Sequence, residues 1–332
     1  MSSFRVERER PGGGWASEGN ATPSSVEIAV ETEKQPSGRG PCMRGVLVQP
    51  DQAYESVLFF ASYVDGNENA CVVVAGLGQG MMSFRWLPSF AQALDRLGIA
   101  TVQVNLSSSF GSCGLSSLHQ DARELEVVVR YLRREMNMQK VVIAGHSTGA
   151  QDVVTYMQHT RMKEEGDTKI DACILVSAVS DREAISVSDS SSRVPHLREE
   201  ALKLVEKGQA DRILSERIMN CYFSADRFLS LTERLGGDDM FSTDLTMEEL
   251  QMIFSAVNVP CLCVYAEQDE HVPDMEQLRA FSRRLKTVLL NTSPQVEILF
   301  IPGNHCFDKD ADSATMVDAV CKFLERFDWP QQ

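Results

Sequence analysis

Ser147 stands between two glycines in Gly145-His146-Ser147-Thr148-Gly149. The β-branched run Lys140-Val141-Val142-Ile143-Ala144 precedes it, and Val153, Val154, Tyr156 and Met157 follow it as a helical pattern. Strand, sharp turn and helix in that order is the setting of a nucleophile elbow, in which the turn lifts the serine out of the sheet into a strained backbone conformation. Gly145 and Gly149 keep side chains from colliding where the strand and helix cross, and bulkier residues there would close the turn. A serine hydroxyl attacks a carbonyl only when a base takes its proton and a third group orients that base, so the rest of the chain is read for what it supplies to Ser147.

Six histidines compete for the base. His146 is held inside the elbow, His119 and His159 fall on or beside helices, and His196 lies in a helical stretch far from any strand end; such histidines are mostly solvated or packed. His271 comes close after a strand but precedes the last one. His305 follows the apolar run Val296-Glu297-Ile298-Leu299-Phe300-Ile301 in Pro302-Gly303-Asn304-His305, and it alone combines a position after the last strand with a strand-end loop. The acid is expected in the loop after Cys261-Leu262-Cys263-Val264-Tyr265-Ala266, where Asp269 is the choice. Asp181, at the end of the preceding strand, is its rival, while Glu267 and Glu270 read as solvated carboxylates.

Charge that develops on a carbonyl oxygen needs backbone donors. Gly76-Leu77-Gly78-Gln79-Gly80 directly follows the buried strand Cys71-Val72-Val73-Val74-Ala75, and its glycines allow the backbone to approach a substrate. The expected donors are the N–H groups of Leu77 and Thr148. A phosphate cradle would need Gly-Lys-Ser/Thr at the end of this loop, which is missing. No His-x-x-x-His or Cys-x-x-Cys spacing occurs in the chain, so no metal and no cofactor is expected.

These residues need a sheet to hold them. Val46-Val48, Val57-Phe60, Cys71-Ala75, Ala100-Val104, Lys140-Ala144, Ala172-Ala178, Cys261-Ala266 and Val296-Ile301 read as strands. Helical stripes lie between most of them, such as Phe90, Leu94 and Leu97, or Leu125, Val128, Val129 and Leu132. Residues 181–257 leave the alternation. Leu197, Ala201, Leu204 and Val205 form one helical stripe there, Phe228, Leu231 and Leu235 another, and Thr246-Met247-Glu248-Glu249 is a capping box. This insertion is expected to fold over the catalytic edge as a cap. Residues 1–43, rich in Gly, Pro and Ser and without apolar periodicity, read as a disordered tail, and 44–330 as the folded domain. Arg5, Arg8 and Arg10 in the tail are interrupted by Glu7, Glu9 and Glu18, unlike an organelle transit peptide.

The chain has 332 residues, 43% hydrophobic and 24% charged, as expected of one large soluble domain with an insertion. Its formal charge of −15 repels nucleic acids and anionic membrane surfaces and suits a neutral or cationic small substrate. Nine cysteines, an odd count with several inside apolar strands, point to a reducing, cytoplasmic setting. No apolar stretch approaches the ~20 residues of a membrane span. The oligomeric state is not encoded in any pattern found here.

Several motifs beyond the elbow carry a family resemblance: Leu106-Ser-Ser-Ser-Phe110, Gly114-Leu-Ser-Ser-Leu118, Gly145-His-Ser-Thr-Gly-Ala-Gln-Asp152, Ser180-Asp-Arg-Glu-Ala184 and Asp238-Asp-Met-Phe-Ser242. From residue 44 onward the chain resembles the fungal siderophore (fusarinine C) esterases, most of whose relatives are labelled only as a domain of unknown function. In the serine-rich loop, where that family often carries a tryptophan, this chain has Ser112-Cys113. The resemblance implies an α/β-hydrolase fold: a mostly parallel eight-stranded sheet with helices on both faces and a helical cap insertion. It implies a serine esterase that works through an acyl-enzyme with Ser147, Asp269 and His305, on a small ester that includes hydroxamate siderophore esters. The alternatives are a general carboxylesterase or thioesterase, an acyltransferase, or a non-catalytic binding protein on the same fold.

Overall fold

The computed structural model describes residues 45–327 apart from 52, 54–56, 164, 165, 189 and 190. The expected tail over 1–43 lies outside the described residues, as do positions 44 and 328–330 of the expected domain.

The elements run β1 (Gly45–Val48), β2 (Leu58–Ser62), β3 (Asn69–Val74), α1 (Leu87–Asp95), β4 (Ile99–Asn105), α2 (Leu118–Arg134), β5 (Lys140–His146), α3 (Thr148–Thr160), β6 (Ala172–Val176) and α4 (Asp181–Val187). They continue with α5 (Val194–Glu206), α6 (Ala225–Thr232), α7 (Met247–Phe254), β7 (Cys261–Ala266), α8 (Met275–Leu289), β8 (Val296–Ile301) and α9 (Asp310–Leu324). One eight-stranded sheet results, in the order β1-β2-β4-β3-β5-β6-β7-β8. Only the β1–β2 and β2–β4 pairs are antiparallel; the other five pairs are parallel. This order and direction are those of the α/β-hydrolase fold, as expected.

The strands read as continuous apolar runs because both faces are covered, and the period of two divides each strand between two cores. Val72, Val74, Val141 and Ile143 face one core with Leu125 and Val129 of α2, Val153 and Tyr156 of α3, and Phe281 and Leu285 of α8. Cys71, Val73, Val142 and Ala144 face the other with Phe90 and Leu94 of α1 and Met316 and Val320 of α9. Single-residue register slips would swap these sets, so the register that places the strand ends is firmly specified.

Among the described residues, 181–257 hold four α-helices, α4 to α7, one more than the sequence pattern gives. The additional one is α4, whose start is fixed by Ser180 Oγ accepting the Glu183 N–H at 3.1 Å. The expected capping box at Thr246 and Glu249 is present at the start of α7. Ile185, Leu197, Ala201, Phe223, Phe228 and Leu231 build an apolar cluster of the insertion's own. Leu77, from the loop after β3, packs against that cluster.

Candidate active site

Parallel strands bring their C-terminal ends to one edge. Ser147 directly follows β5, Asp269 lies in the loop after β7, and His305 lies in the loop after β8. The β7–β8 register pairs Ala266 with Ile301, so the two loops leave the sheet side by side. Both side chains are buried and meet: His305 Nδ1 is 2.8 Å from Asp269 Oδ2.

At the elbow, Ser147 has φ 56° and ψ −125°. That conformation disfavours a residue with a Cβ and marks a position whose surroundings hold it in place. Ser147 N–H donates to the Val176 carbonyl at 2.9 Å, tying the turn to β6. The two elbow glycines are required by close approach. A Cβ on Gly145 would collide with the Gly149 carbonyl, and one on Gly149 would come within 2.5 Å of the Val74 carbonyl oxygen. Among the described residues Ser147 Oγ and His305 Nε2 make no hydrogen bond to each other or to another group; such contacts commonly tighten only in a substrate complex.

The expected backbone donors lie on either side of the serine. Gly76 and Gln79 close a β-turn through the Gln79 N–H to Gly76 carbonyl bond at 3.0 Å, with Leu77 and Gly78 at its corners and Gly78 at φ 74°, the type II pattern. The Gln79 side chain fixes this turn from within by accepting the Gly76 N–H at 3.2 Å. Gly76 is so close to Ser147 that a Cβ there would lie 2.8 Å from the serine Cβ. Thr148 begins α3, where unpaired N–H groups and the helix dipole favour negative charge. The N–H groups of Leu77 and Thr148 make no hydrogen bond among the described residues.

Sequence reasoning missed how many groups hold His305. Its carbonyl accepts from His146 Nε2 at 2.9 Å and from Ser177 Oγ at 2.8 Å, and its N–H donates to Glu270 Oε2 at 2.9 Å. Glu270 is exposed, as the sequence suggests, but it is tied to His305 rather than only solvated; Glu267 pairs with Arg279 at 3.0 Å. His146 also stacks edge-on to the His305 ring at 4.9 Å, and His271 does so from another side at 4.5 Å. Burial first and the His305 charge second push His146 down to about 3, so it is neutral, with its proton on the Nε2 that donates to the carbonyl. Burial and His305 lower His271 as well. The neutral rings beside His305 thus leave Asp269 and Glu270 as the charges within reach of an imidazolium. The available signals were that His146 directly precedes Ser147 and that His271 lies two residues after Asp269.

The rival acid, Asp181, is elsewhere. Its carboxylate accepts from Gln151 Nε2 at 2.7 Å and Thr148 Oγ1 at 3.3 Å, on the insertion side of α3. Of the remaining histidines, His159 pairs with Glu126 at 2.6 Å, and His119 and His196 are exposed on α2 and α5. Among the described residues no group of three or more His, Cys, Asp or Glu side chains is arranged to hold a metal ion. No helix among them is long and apolar enough to cross a membrane.

The sequence model of one family, described as a protein of unknown function (DUF1749), matches residues 43–326. An esterase of Emericella nidulans is 28% identical over 269 residues, covering 64% of this chain and 72% of the relative. The fusarinine C esterase sidJ of Aspergillus fumigatus is 27% identical over 233 residues, covering 57% of this chain and 66% of the relative. Among solved structures, the siderophore hydrolase EstB from Aspergillus fumigatus superposes with a TM-score of 0.70 at 22% identity, covering 88% of this chain and 99% of that one.

Proposed function

The chain belongs to the DUF1749 family, and on that premise we propose that it is a serine hydrolase that cleaves an ester bond of a small substrate through an acyl-enzyme. The observation that carries this reading is the 2.8 Å bond between His305 Nδ1 and Asp269 Oδ2 at the sheet edge where Ser147 is held at φ 56°. Asp269 fixes the proton of the neutral imidazole on Nδ1, which leaves Nε2 as the base. His305 Nε2 takes the hydroxyl proton as Ser147 Oγ attacks the ester carbonyl, and Asp269 stabilises the imidazolium. The N–H groups of Leu77 and Thr148 bind the oxyanion, the second with the dipole of α3 behind it. His305 then protonates the leaving alcohol, and the same base activates a water that releases the acid and frees Ser147.

The substrate class follows from the relatives. One is named as a fusarinine C esterase and another as a siderophore hydrolase, and the fold match to the second spans nearly its whole length. We therefore assign hydroxamate siderophore esters as the preferred substrates. The insertion over 181–257 would act as the cap, a reading supported by the packing of Leu77, in the loop after β3, against the insertion's apolar cluster.

A fluorophosphonate probe tests the chemistry. It should form an adduct at Ser147 that is absent in Ser147→Ala; an unlabelled parent protein would make the chain a binding protein on this fold. Comparison of kcat/KM for hydroxamate siderophore esters, short p-nitrophenyl esters and acyl thioesters tests the substrate. Siderophore esters should be the fastest, and equal rates across the panel would leave a general esterase.

A further inference from the structure

Two cysteines from distant parts of the chain meet where the insertion touches the serine-rich loop. Cys113 Sγ lies 3.1 Å from Cys221 Sγ. Cys113 is buried just after the 3-10 turn Phe110–Ser112, whereas Cys221 is half-buried. The backbone around them is fixed without help from the sulfurs. Ser224 N–H donates to the Gly114 carbonyl at 2.9 Å, and Arg227 Nε donates to the Cys113 carbonyl at 3.2 Å. Gly114 approaches so closely that a Cβ there would collide with the Tyr222 carbonyl. On the other side, Met219 and Asn220 have φ 49° and 63° in a turn closed by Cys221 N–H to the Ile218 carbonyl at 2.8 Å, which aims Cys221 at Cys113. The sulfurs need to close by only about 1 Å to reach the ~2.05 Å of a disulfide.

From this juxtaposition we propose that Cys113 and Cys221 are a redox-active pair, oxidised by a peroxide to a disulfide that fastens the insertion to the loop beside Leu77. The bond itself does not depend on the proposed hydrolase activity; only its effect on turnover rests on that reading.

The steps balance with hydrogen peroxide as oxidant. The half-exposed Cys221 attacks as thiolate; the O–O bond breaks, hydroxide leaves, and Cys221 becomes a sulfenic acid. Cys113 sulfur then attacks Cys221 sulfur. The S–S bond forms, the S–O bond breaks, and the hydroxyl leaves with the Cys113 proton as water. Two thiols lose two hydrogens and one peroxide becomes two waters. Burial and the neighbouring Cys221 push the Cys113 thiol up to about 12, which suits it to the second step rather than the first. Other cysteines differ in kind. Cys173, Cys261 and Cys263 are wholly buried in the sheet, and the Cys261 and Cys263 sulfurs, 4.0 Å apart, belong to alternate residues of one strand.

The placement of the bond gives it a consequence. Leu77 and Cys221 both pack on the insertion's apolar cluster, and Cys113 Sγ is the atom a Cβ on Gly78 would meet, at 4.0 Å. A disulfide here would lock the insertion to the serine-rich loop that borders the turn carrying Leu77 and restrict its opening to large substrates.

The full chain, treated with hydrogen peroxide and digested without reduction, should yield a peptide linking Cys113 to Cys221, two hydrogens lighter than its parts. The link should vanish with dithiothreitol and in Cys221→Ser. Closing a loop this long should also raise the Tm by on the order of 5 °C in the parent and not in Cys221→Ser. Fluorophosphonate labelling of Ser147 should persist after oxidation, while turnover of a large siderophore ester falls severalfold and recovers on reduction. Oxidation of Cys221 to sulfinic acid with no linked peptide, or a link to a different cysteine, would overturn the pairing. A linked peptide with unchanged turnover of the large ester would remove the lock on the insertion. If Ser147 takes no label, the hydrolase reading fails while the peptide map still decides the disulfide.

Discussion

Two buried groups of carboxylates in this molecule are handled in opposite ways. At the strand ends, one acid faces one base: Asp269 is paired with His305, which is held in turn by His146, Ser177 and Glu270. In the seam between α2, α3 and the insertion, acids outnumber cations. Asp121, Asp152, Asp181 and Asp238 surround Arg227, whose Nη1 bonds both oxygens of Asp238. Burial raises Asp121 to about 6 although Ser108 and Arg227 pull it down, and burial followed by the charge of Asp121 raises Asp152 well above its ordinary value. Burial and then Asp238 raise Asp181 to about 6. The contrast separates an acid bonded to a single imidazole from a network in which burial and mutual repulsion raise several acids around one buried arginine. Burying a carboxylate is therefore not by itself a sign of catalysis; what matters is whether a base with an open nitrogen faces it.

The largest expected effect exploits that contrast directly. Asp269→Asn should leave the fold intact, favour the wrong tautomer of His305 and lower kcat by on the order of 10⁴, the scale of the same change in a serine protease triad. Asp181→Asn should change kcat by no more than about threefold, because the amide still accepts from Gln151 and replaces a carboxyl whose ionisation is already disfavoured. Steady-state kinetics on both variants decides the matter, and a collapse in Asp181→Asn beside near-normal Asp269→Asn would move the acid to the seam.

Next in size is the loss of the seam's cation. Arg227 is 4% exposed and bonds Asp238 and the Cys113 carbonyl. Arg227→Met should cost about 3–5 kcal/mol by leaving Asp238 and its neighbours uncompensated. Denaturant unfolding measures this, and a loss below about 1 kcal/mol, the scale of an exposed ion pair, would mean that the seam relaxes or admits water.

How far the sequence revealed these two regions follows from how local each is. The elbow was legible because strand, turn, glycines and helix are contiguous from Lys140 to Met157. Asp269 and His305 were legible through chain order, since parallel strands deliver successive loops to one edge. Boundaries were less so: β3 begins at Asn69 rather than Cys71 and ends at Val74, because the pairing with β5, Asn69 with Lys140 through Val74 with Gly145, sets its length rather than hydrophobicity. The helix α4 was missed although Ser180 and Glu183 have N-cap spacing, because it is short and carries too few apolar residues to show a periodic stripe. The seam was not legible at all. Asp121 and Asp152 are polar residues on amphipathic helices, and such positions ordinarily read as solvated; Asp238 and Arg227 come from the insertion, so only tertiary packing shows that the four meet. His271 was set aside for its chain order and nevertheless packs on His305, a contact of side chains that order cannot report.

A third test sharpens the seam's side of the comparison through pH. A carboxyl whose folded value exceeds its unfolded ~3.9 favours the folded state while protonated. Its contribution is fully present below the unfolded value and is lost as pH rises through the folded value, here about 6 for Asp121. The parent's stability, followed through its Tm, should therefore lose this contribution between about pH 4 and pH 7. The loss is at most about 1.4 kcal/mol for each pH unit that separates the folded from the unfolded value. Asp121→Asn, neutral throughout, should flatten that fall, because Asp152 then loses the acid that most opposes its own ionisation. Equal slopes in the two proteins would show that Asp121 does not titrate with folding.

The smallest expected effect concerns the exposed carboxylate beside His305. Glu270 accepts the His305 N–H at 2.9 Å through Oε2, while its surface faces solvent. Water screens its charge, so its value to the imidazolium is modest beside that of the buried Asp269. Glu270→Gln keeps an acceptor for the N–H and removes the charge; kcat/KM should fall by about twofold. Glu270→Ala removes the acceptor as well and frees one of the contacts that hold the backbone of His305, so a loss nearer tenfold is expected, corresponding to about 1.4 kcal/mol. The spacing between the two variants distinguishes positioning from electrostatics. Equal large losses in both would mean that the Glu270 charge acts on His305 despite its exposure, and that the strand-end pair is instead a three-member group.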